Sequence, residues 1–160
     1  MTKPTLRRAR ESDYGVLLEL IAAFYEVDQH YFEPARIAKA LPPLLAHDDF
    51  GAVYLIEHDR GIDTTTQFAP LSDKPMGYAI LTWGYSLESG GREALIDEIF
   101  LQQRNNGIGT QVMPLLFDAL RTQGILKIFL ETETHNARAR RFYARSGFVA
   151  DDSIWMSRSL

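Results

Sequence analysis

The chain has 160 residues, 46% hydrophobic and 24% charged, with a net charge of −4 and no cysteine. Such a chain forms one domain with a real core, and it excludes disulfides, a thiol nucleophile and a thiolate metal site. The charge argues against general nucleic-acid affinity, and no run of eighteen apolar residues is present to span a membrane. The first ten residues carry Lys3, Arg7, Arg8 and Arg10, but no apolar segment follows as in a secretory signal. Cytoplasm is the default expectation.

In chain order, Thr5–Ala9 reads as a first strand. Ser12-Asp13 can cap a helix that carries Val16, Leu17, Leu20, Ile21 and Phe24 on one face. Pro34 suits the first turn of a second helix, running to about Ala46. Ala52–Glu57 is a strand, and the polar stretch His58–Pro75 is a loop. Met76–Trp83 and Ala94–Leu101 are strands joined by a glycine-containing connection, Trp83–Arg92. Gly107–Thr122 is a third helix stopped by Gly124, with Pro114 predicting a bend or one lost hydrogen bond. Lys127–Thr132 is a strand, Asn136–Ser146 a fourth helix, and Ile154–Arg158 a closing strand. Residues 1–160 are read as a single α/β domain without repeats or linkers.

The densest signal is Arg104-Asn105-Asn106-Gly107-Ile108-Gly109-Thr110, directly after the strand that ends Asp97-Glu98-Ile99-Phe100-Leu101. A strand, a polar loop and two glycines opening a helix build a nest of backbone N–H groups suited to a phosphate. The Walker pattern is absent, because Thr110-Gln111 stands where Lys-Ser/Thr is required. A dinucleotide fingerprint needs three glycines, and two are present. What remains is Arg-x-x-Gly-x-Gly, which is also compatible with a plain strand-to-helix turn.

Further on, Asn136 and Gly147 read as the cap and the stop of one helix. Between them runs Asn-x-x-Ala-x-x-x-Tyr, and Gly147-Phe148 follows. Together with the glycine loop, in this order and spacing, the chain resembles the GNAT superfamily of N-acetyltransferases. The resemblance is strong from about Ala94 to Phe148 and extends weakly to the N-terminus. It implies an α/β fold with a mostly antiparallel central sheet, helices on both faces, and a splayed parallel junction between the fourth and fifth strands. It also implies acetyl-CoA as cosubstrate and no metal. The pantetheine arm would lie in the splayed gap on Ile99, Phe100 and Leu101. The pyrophosphate would sit on Arg104, Asn105, Asn106, Gly107, Ile108, Gly109 and Thr110, with Asn136 bonding the arm.

Acetyl transfer to an amine requires a base for the amine, stabilisation of the developing oxyanion and a proton for the leaving thiolate. Tyr143 matches the family tyrosine that serves the coenzyme sulfur; otherwise it is a core residue of an amphipathic helix. Asp97 and Glu98 are candidates for the base. Strict strand alternation points only one of them at a substrate. Glu131 is a third candidate, with a structural role at the end of its strand as the alternative.

Trp83, Tyr85 and Glu88, from the connection ahead of the acidic strand, could bracket a substrate amine. Trp83 could equally be packed in the core. Tyr25, Asp28 and Tyr31 could form the opposite wall. His30, His47, His58 and His135 show no metal-ligand spacing, and of these only His135 is expected near the site. Of the last helix's arginines, Arg138, Arg140, Arg141 and Arg145, one or two are expected near the cofactor.

The expected activity is acetyl transfer from acetyl-CoA to a primary amine, by direct attack in a ternary complex, since no cysteine exists to hold an acetyl group. The acceptor is a small molecule or a peptide, and a homodimer stays open. The alternatives are a non-catalytic acyl-CoA-binding regulatory module of the same fold, and a nucleotide-binding domain of another fold.

Overall fold

The computed structural model describes residues 3–59, 74–104 and 106–160. Strand β1 (Pro4–Arg8) leads through a short 3-10 turn into helices α1 (Tyr14–Val27) and α2 (Pro34–Ala46). Strands β2 (Gly51–His58), β3 (Gly77–Ser86) and β4 (Gly91–Leu101) follow. Helix α3 (Ile108–Thr122), strand β5 (Lys127–Leu130) and helix α4 (Ala137–Arg145) complete the order. The five strands form one sheet in the order β1-β2-β3-β4-β5. Every pair is antiparallel except β4–β5, which is parallel. This is the expected α/β architecture.

Alternation along the strands divides the core in two. Ala52, Tyr54, Ile56, Ala79 and Leu81 face α3, where Val112, Met113, Leu116 and Leu120 cover them. Val53, Leu55, Tyr78 and Ile80 face α1 and α2, against Leu17, Leu20, Ile21, Leu41 and Leu45. Leu17 and Leu116 are fully buried. Truncating either to alanine removes apolar burial and leaves a void, a cost of about 2–5 kcal/mol.

Four expectations need correction. The Ile154–Arg158 strand does not form: residues 149–160 are exposed and without regular structure. The β3–β4 connection is shorter than read, because strand pairing continues to Ser86↔Gly91 and leaves the turn Leu87–Gly90. The Asp13 side chain does not cap α1. Its carboxylate accepts the Arg10 N–H at 2.8 Å and two Arg7 guanidinium bonds at 2.9 and 3.0 Å, tying β1 to the start of α1. Pro114 lies inside α3, which continues to Thr122 as expected. Of the loop read at His58–Pro75, His58 belongs to β2, and residues 60–73 lie outside the described residues.

Candidate active site

The site begins at an irregularity in β4. Ile80 of β3 pairs with Glu98, but the next residue, Leu81, pairs with Ile96. Asp97 is therefore an extra residue, a β-bulge, and it resets the alternation of the strand. Ala94 and Ile96 belong to the α3-side core, yet past the bulge it is Ile99 and Leu101 that pack there. Phe100 joins the opposite core with Tyr78 and Phe24. The bulge thus turns Asp97 and Glu98 to the same side of the sheet. This corrects the expectation that neighbouring residues must point apart.

Glu98 is held by two phenols. Tyr78 donates to its Oε2 at 2.6 Å from the neighbouring strand, and Tyr25 donates to its Oε1 at 3.0 Å from α1. Burial pushes the Glu98 carboxyl above its ordinary value, while the two hydrogen bonds and His30 pull the other way and Asp97 adds to the rise. Asp97 is exposed to the cleft, but the walls around it still desolvate it and raise its carboxyl too. The Tyr25 phenol is pushed up to about 12, first by burial and then by Glu98. Tyr78 is raised for the same reasons, so both phenols stay protonated and donating.

Beyond the bulge β4 separates from β5. Their pairing ends at Ile96↔Leu130, while β4 continues to Leu101. The β5-facing edge of residues 97–101 therefore borders a cleft of about 450 Å³. The cleft is lined by Asp97 to Leu101, by the start of α3 and by α4. At the start of α3, Gly107 is the N-cap with φ 77°, a left-handed conformation that an L side chain resists. Asn106 Oδ1 accepts the Ile108 N–H at 3.2 Å. The amides of Gly109 and Thr110 belong to the first turn, which has no intrahelical acceptors. Gly109 serves packing: a Cβ there would meet the Phe142 ring at 3.2 Å and Leu101 at 3.6 Å. Asn105 lies outside the described residues.

On the other wall Asn136 caps α4, its Oδ1 accepting the Ala139 N–H at 3.0 Å. Tyr143 lines the cleft, half-buried between Phe142 and Phe148. Burial raises its phenol above the ordinary value, and Asp28 and Glu133 add to the rise. It is thus a proton holder at neutral pH. Glu131 also lines the cleft and is exposed. The lining carries both charges, with Asp28, Glu131 and Glu133 as further acids and Arg104, Arg138 and Arg145 as bases.

The profile of the Acetyltransferase (GNAT) family matches residues 19–148. The chain belongs to this family. A comparison with curated proteins gave no significant match. Among solved structures, the GNAT chain is similar to an integron cassette protein from the mobile metagenome of Cole Harbour Salt Marsh (24% identity, 97% of this chain and 90% of that one, TM-score 0.77). It is also similar to a ribosomal-protein-alanine N-acetyltransferase from Brucella melitensis biovar Abortus 2308 (17% identity, 98% and 99%, TM-score 0.69). A third neighbour is an aminoglycoside acetyltransferase from an uncultured soil metagenomic sample, in complex with sisomicin (15% identity, 98% and 95%, TM-score 0.70). These likenesses concern the fold. No helix among the described residues is long and apolar enough to cross a membrane.

Three substrate candidates of the GNAT chain fall elsewhere. Trp83, Tyr85 and Glu88 lie at the end of the β3–β4 hairpin where Tyr85 pairs with Arg92, opposite the cleft end where Gly77 pairs with Leu101. Trp83 packs against the α3-side core, and its indole N–H donates to the Asp48 carbonyl at 2.8 Å. Tyr85 is 76% exposed and Glu88 stands in the turn. Tyr31 is exposed and outside the cleft lining, whereas Tyr25 reaches the site through Glu98.

A histidine not expected from the sequence also stands in the cleft. His30, not His135, lines the cleft, with Nε2 3.6 Å from Glu133. With Asp28 these two bring donor atoms within 4.8 Å of one another. Sequence spacing gave no sign of this group, because it joins the end of α1 to the loop after β5.

Proposed function

We propose that this protein is an acetyl-CoA-dependent N-acetyltransferase that acetylates a primary amine by direct attack in a ternary complex. The observation that carries the reading is that one cleft is bordered by the β4 edge, the glycine turn of α3, the Asp97–Glu98 pair and Tyr143. The donor set suits acetyl-CoA. Gly107 leaves open space where a Cβ would stand, and the Gly109 and Thr110 amides with Arg104 offer positive charge to phosphates. The backbone of Ile99, Phe100 and Leu101 offers a free strand edge to the amides of a pantetheine arm, and Asn136 lies beside it.

When bound, acetyl-CoA supplies a thioester-activated acetyl group. The chain's own residues then divide the proton work. Asp97 and Glu98 attract a protonated amine and disfavour an anionic acceptor. A carboxylate has about four lone-pair sites, and the two phenols occupy only part of Glu98's capacity. Glu98 can therefore accept the ammonium proton, directly or through one water. Tyr143 holds a proton at its hydroxyl for the departing sulfur. Without cysteine the chain has no thiol to carry the acetyl group itself. The acceptor is accordingly a cationic amine, on a small molecule or a peptide.

The test is a panel of amines incubated with acetyl-CoA and the protein, read as released free thiol. Amine-dependent release is expected, strongest for cationic acceptors. Coenzyme A binding by calorimetry without turnover on any amine would instead support the regulatory-module alternative.

A further inference from the structure

Helix α1 ends beside the cleft, and its last turn carries no basic residue. The aligned peptide dipoles make that end of the helix favour a cation. Asp28 follows the helix, Gln29 takes a left-handed φ of 56°, and His30 comes next. That turn, uncommon for a residue with a side chain, brings Asp28 and His30 into the cleft lining while Gln29 stays exposed outside it. The His30 backbone N–H donates to the Tyr25 carbonyl at 3.0 Å, and its ring lies edge-on to Phe24 and Tyr25 at 6.4 and 6.2 Å. Backbone and ring are thereby oriented, with Nε2 3.6 Å from Glu133 Oε1 in the loop after β5. One donor atom from each of Asp28, His30 and Glu133 lies within 4.8 Å of the other two.

We propose that Asp28, His30 and Glu133 form a three-ligand site for a divalent zinc ion, which clasps the end of α1 to the loop after β5 across the cleft. The donor set is one imidazole nitrogen and two carboxylates, the nitrogen and oxygen ligands that zinc accepts. Tetrahedral zinc at bond lengths of about 2.0–2.2 Å separates its ligands by about 3.3–3.5 Å. The His30–Glu133 spacing already approaches that value, and rotation of these partly exposed side chains closes the remainder. With His30 neutral, the two carboxylates balance the double charge of the ion. A water completes the tetrahedron, as in zinc sites with three protein ligands. The imidazole favours a metal over an organic ammonium, because its ring nitrogen bonds zinc directly and offers an ammonium a single hydrogen bond. The acetyl transfer described above takes no step through this ion, so the site stands or falls by binding alone.

Calorimetry of the untagged protein with zinc chloride, without acetyl-CoA or amine, should show one zinc bound per chain. Asp28→Asn, His30→Ala and Glu133→Gln should each weaken binding by about tenfold or more, since losing a ligand costs at least as much as losing the group that orients one. His135→Ala, in the same loop but outside the cleft lining, should leave binding unchanged. Cobalt in place of zinc should give the intense visible absorption of a tetrahedral ion, and His30→Ala should lose it. Zinc should also raise the Tm of the parent and not that of His30→Ala. No zinc bound at micromolar concentrations, binding indifferent to all three ligand variants, or binding abolished by His135→Ala alone would each overturn the site. So would putrescine giving a heat that the same three variants abolish where zinc gives none, which would assign the cluster to a second ammonium of the acceptor.

Discussion

Tyr78, itself fully buried, donates its hydroxyl hydrogen bond to Glu98 across 2.6 Å from the strand beside it. That bond exists because of the bulge at Asp97. Continued alternation would have sent Glu98 toward α3 and left the Tyr78 hydroxyl buried among apolar side chains. The extra residue thus satisfies a buried phenol and sets two carboxylates beside a cleft. A local departure from regular structure links the packing of the core to the chemistry at its surface.

The two glycines of the α3 turn should respond differently to substitution. At Gly107 the backbone is left-handed and open, so Gly107→Ala meets strain alone, a cost of about 1–2 kcal/mol, and Gly107→Asn less. At Gly109 a Cβ drives into Phe142 and Leu101, so Gly109→Val should disturb the α3–α4 contact at about 1–3 kcal/mol. Thermal melts should therefore rank Gly109→Val below Gly107→Asn. Coenzyme A affinity should survive in Gly107→Asn. A Gly109→Val protein as stable as the parent would contradict the packing role.

Tyr143→Phe keeps the ring between Phe142 and Phe148 and removes only the hydroxyl. Acetyl-CoA binding should persist, while turnover falls by about tenfold to a thousandfold, the usual order for losing a positioned proton donor. Single-turnover kinetics with binding measured separately gives the comparison. An unaltered chemical step would return Tyr143 to a packing role.

The fold and the cleft were legible because their signals are local. Glycine positions, the Asn136 cap and the strand-to-helix order are written in consecutive residues, and the structure forms the corresponding turns and helices. The bulge was not legible, since Asp97-Glu98 looks the same in a regular and a bulged strand. Register is settled by the partner, through Ile80 and Leu81. The cleft position of His30 was equally hidden, because it depends on how α1 lies against the loop after β5. Trp83, Tyr85 and Glu88 stand away from the cleft, because closeness in sequence to an acidic strand does not say which end of a hairpin borders it. The tail reads as a strand by composition yet forms none, because local propensity does not by itself pair a segment with a sheet edge.

Stability should carry a pH signature at Glu98. Burial raises this carboxyl, so the folded chain binds its proton more tightly than the unfolded chain. The resulting stabilisation is complete below the unfolded carboxyl range and is lost as pH rises through the raised folded value. Ionised Glu98 therefore costs the fold most at neutral and alkaline pH. Glu98→Gln removes that cost, so its gain in Tm should be larger at pH 8 than at pH 4. Scanning calorimetry at both values checks this; an equal gain, or a loss confined to pH 8, would contradict it.

The acid limb of the pH–rate profile should identify the base and its controls. A base works only when deprotonated, so activity rises with pH through its pKa. With Glu98 as base, Glu98→Gln should lower the rate by about a hundredfold to ten-thousandfold, the range for losing a positioned base. Neighbouring substitutions should move the limb in opposite directions. Tyr78 and Tyr25 hold the carboxylate form, so Tyr78→Phe or Tyr25→Phe should shift the limb toward higher pH. Asp97 opposes a second negative charge beside it, so Asp97→Asn should shift the limb toward lower pH while turnover at high pH changes little. Profiles of kcat/KM for the four single variants, on one amine acceptor, give the readout. Loss of the limb in Asp97→Asn, with Glu98→Gln active, would make Asp97 the base. Unchanged profiles in both would pass the role to Glu131 or to water, and would leave the Tyr78–Glu98 bond a structural one.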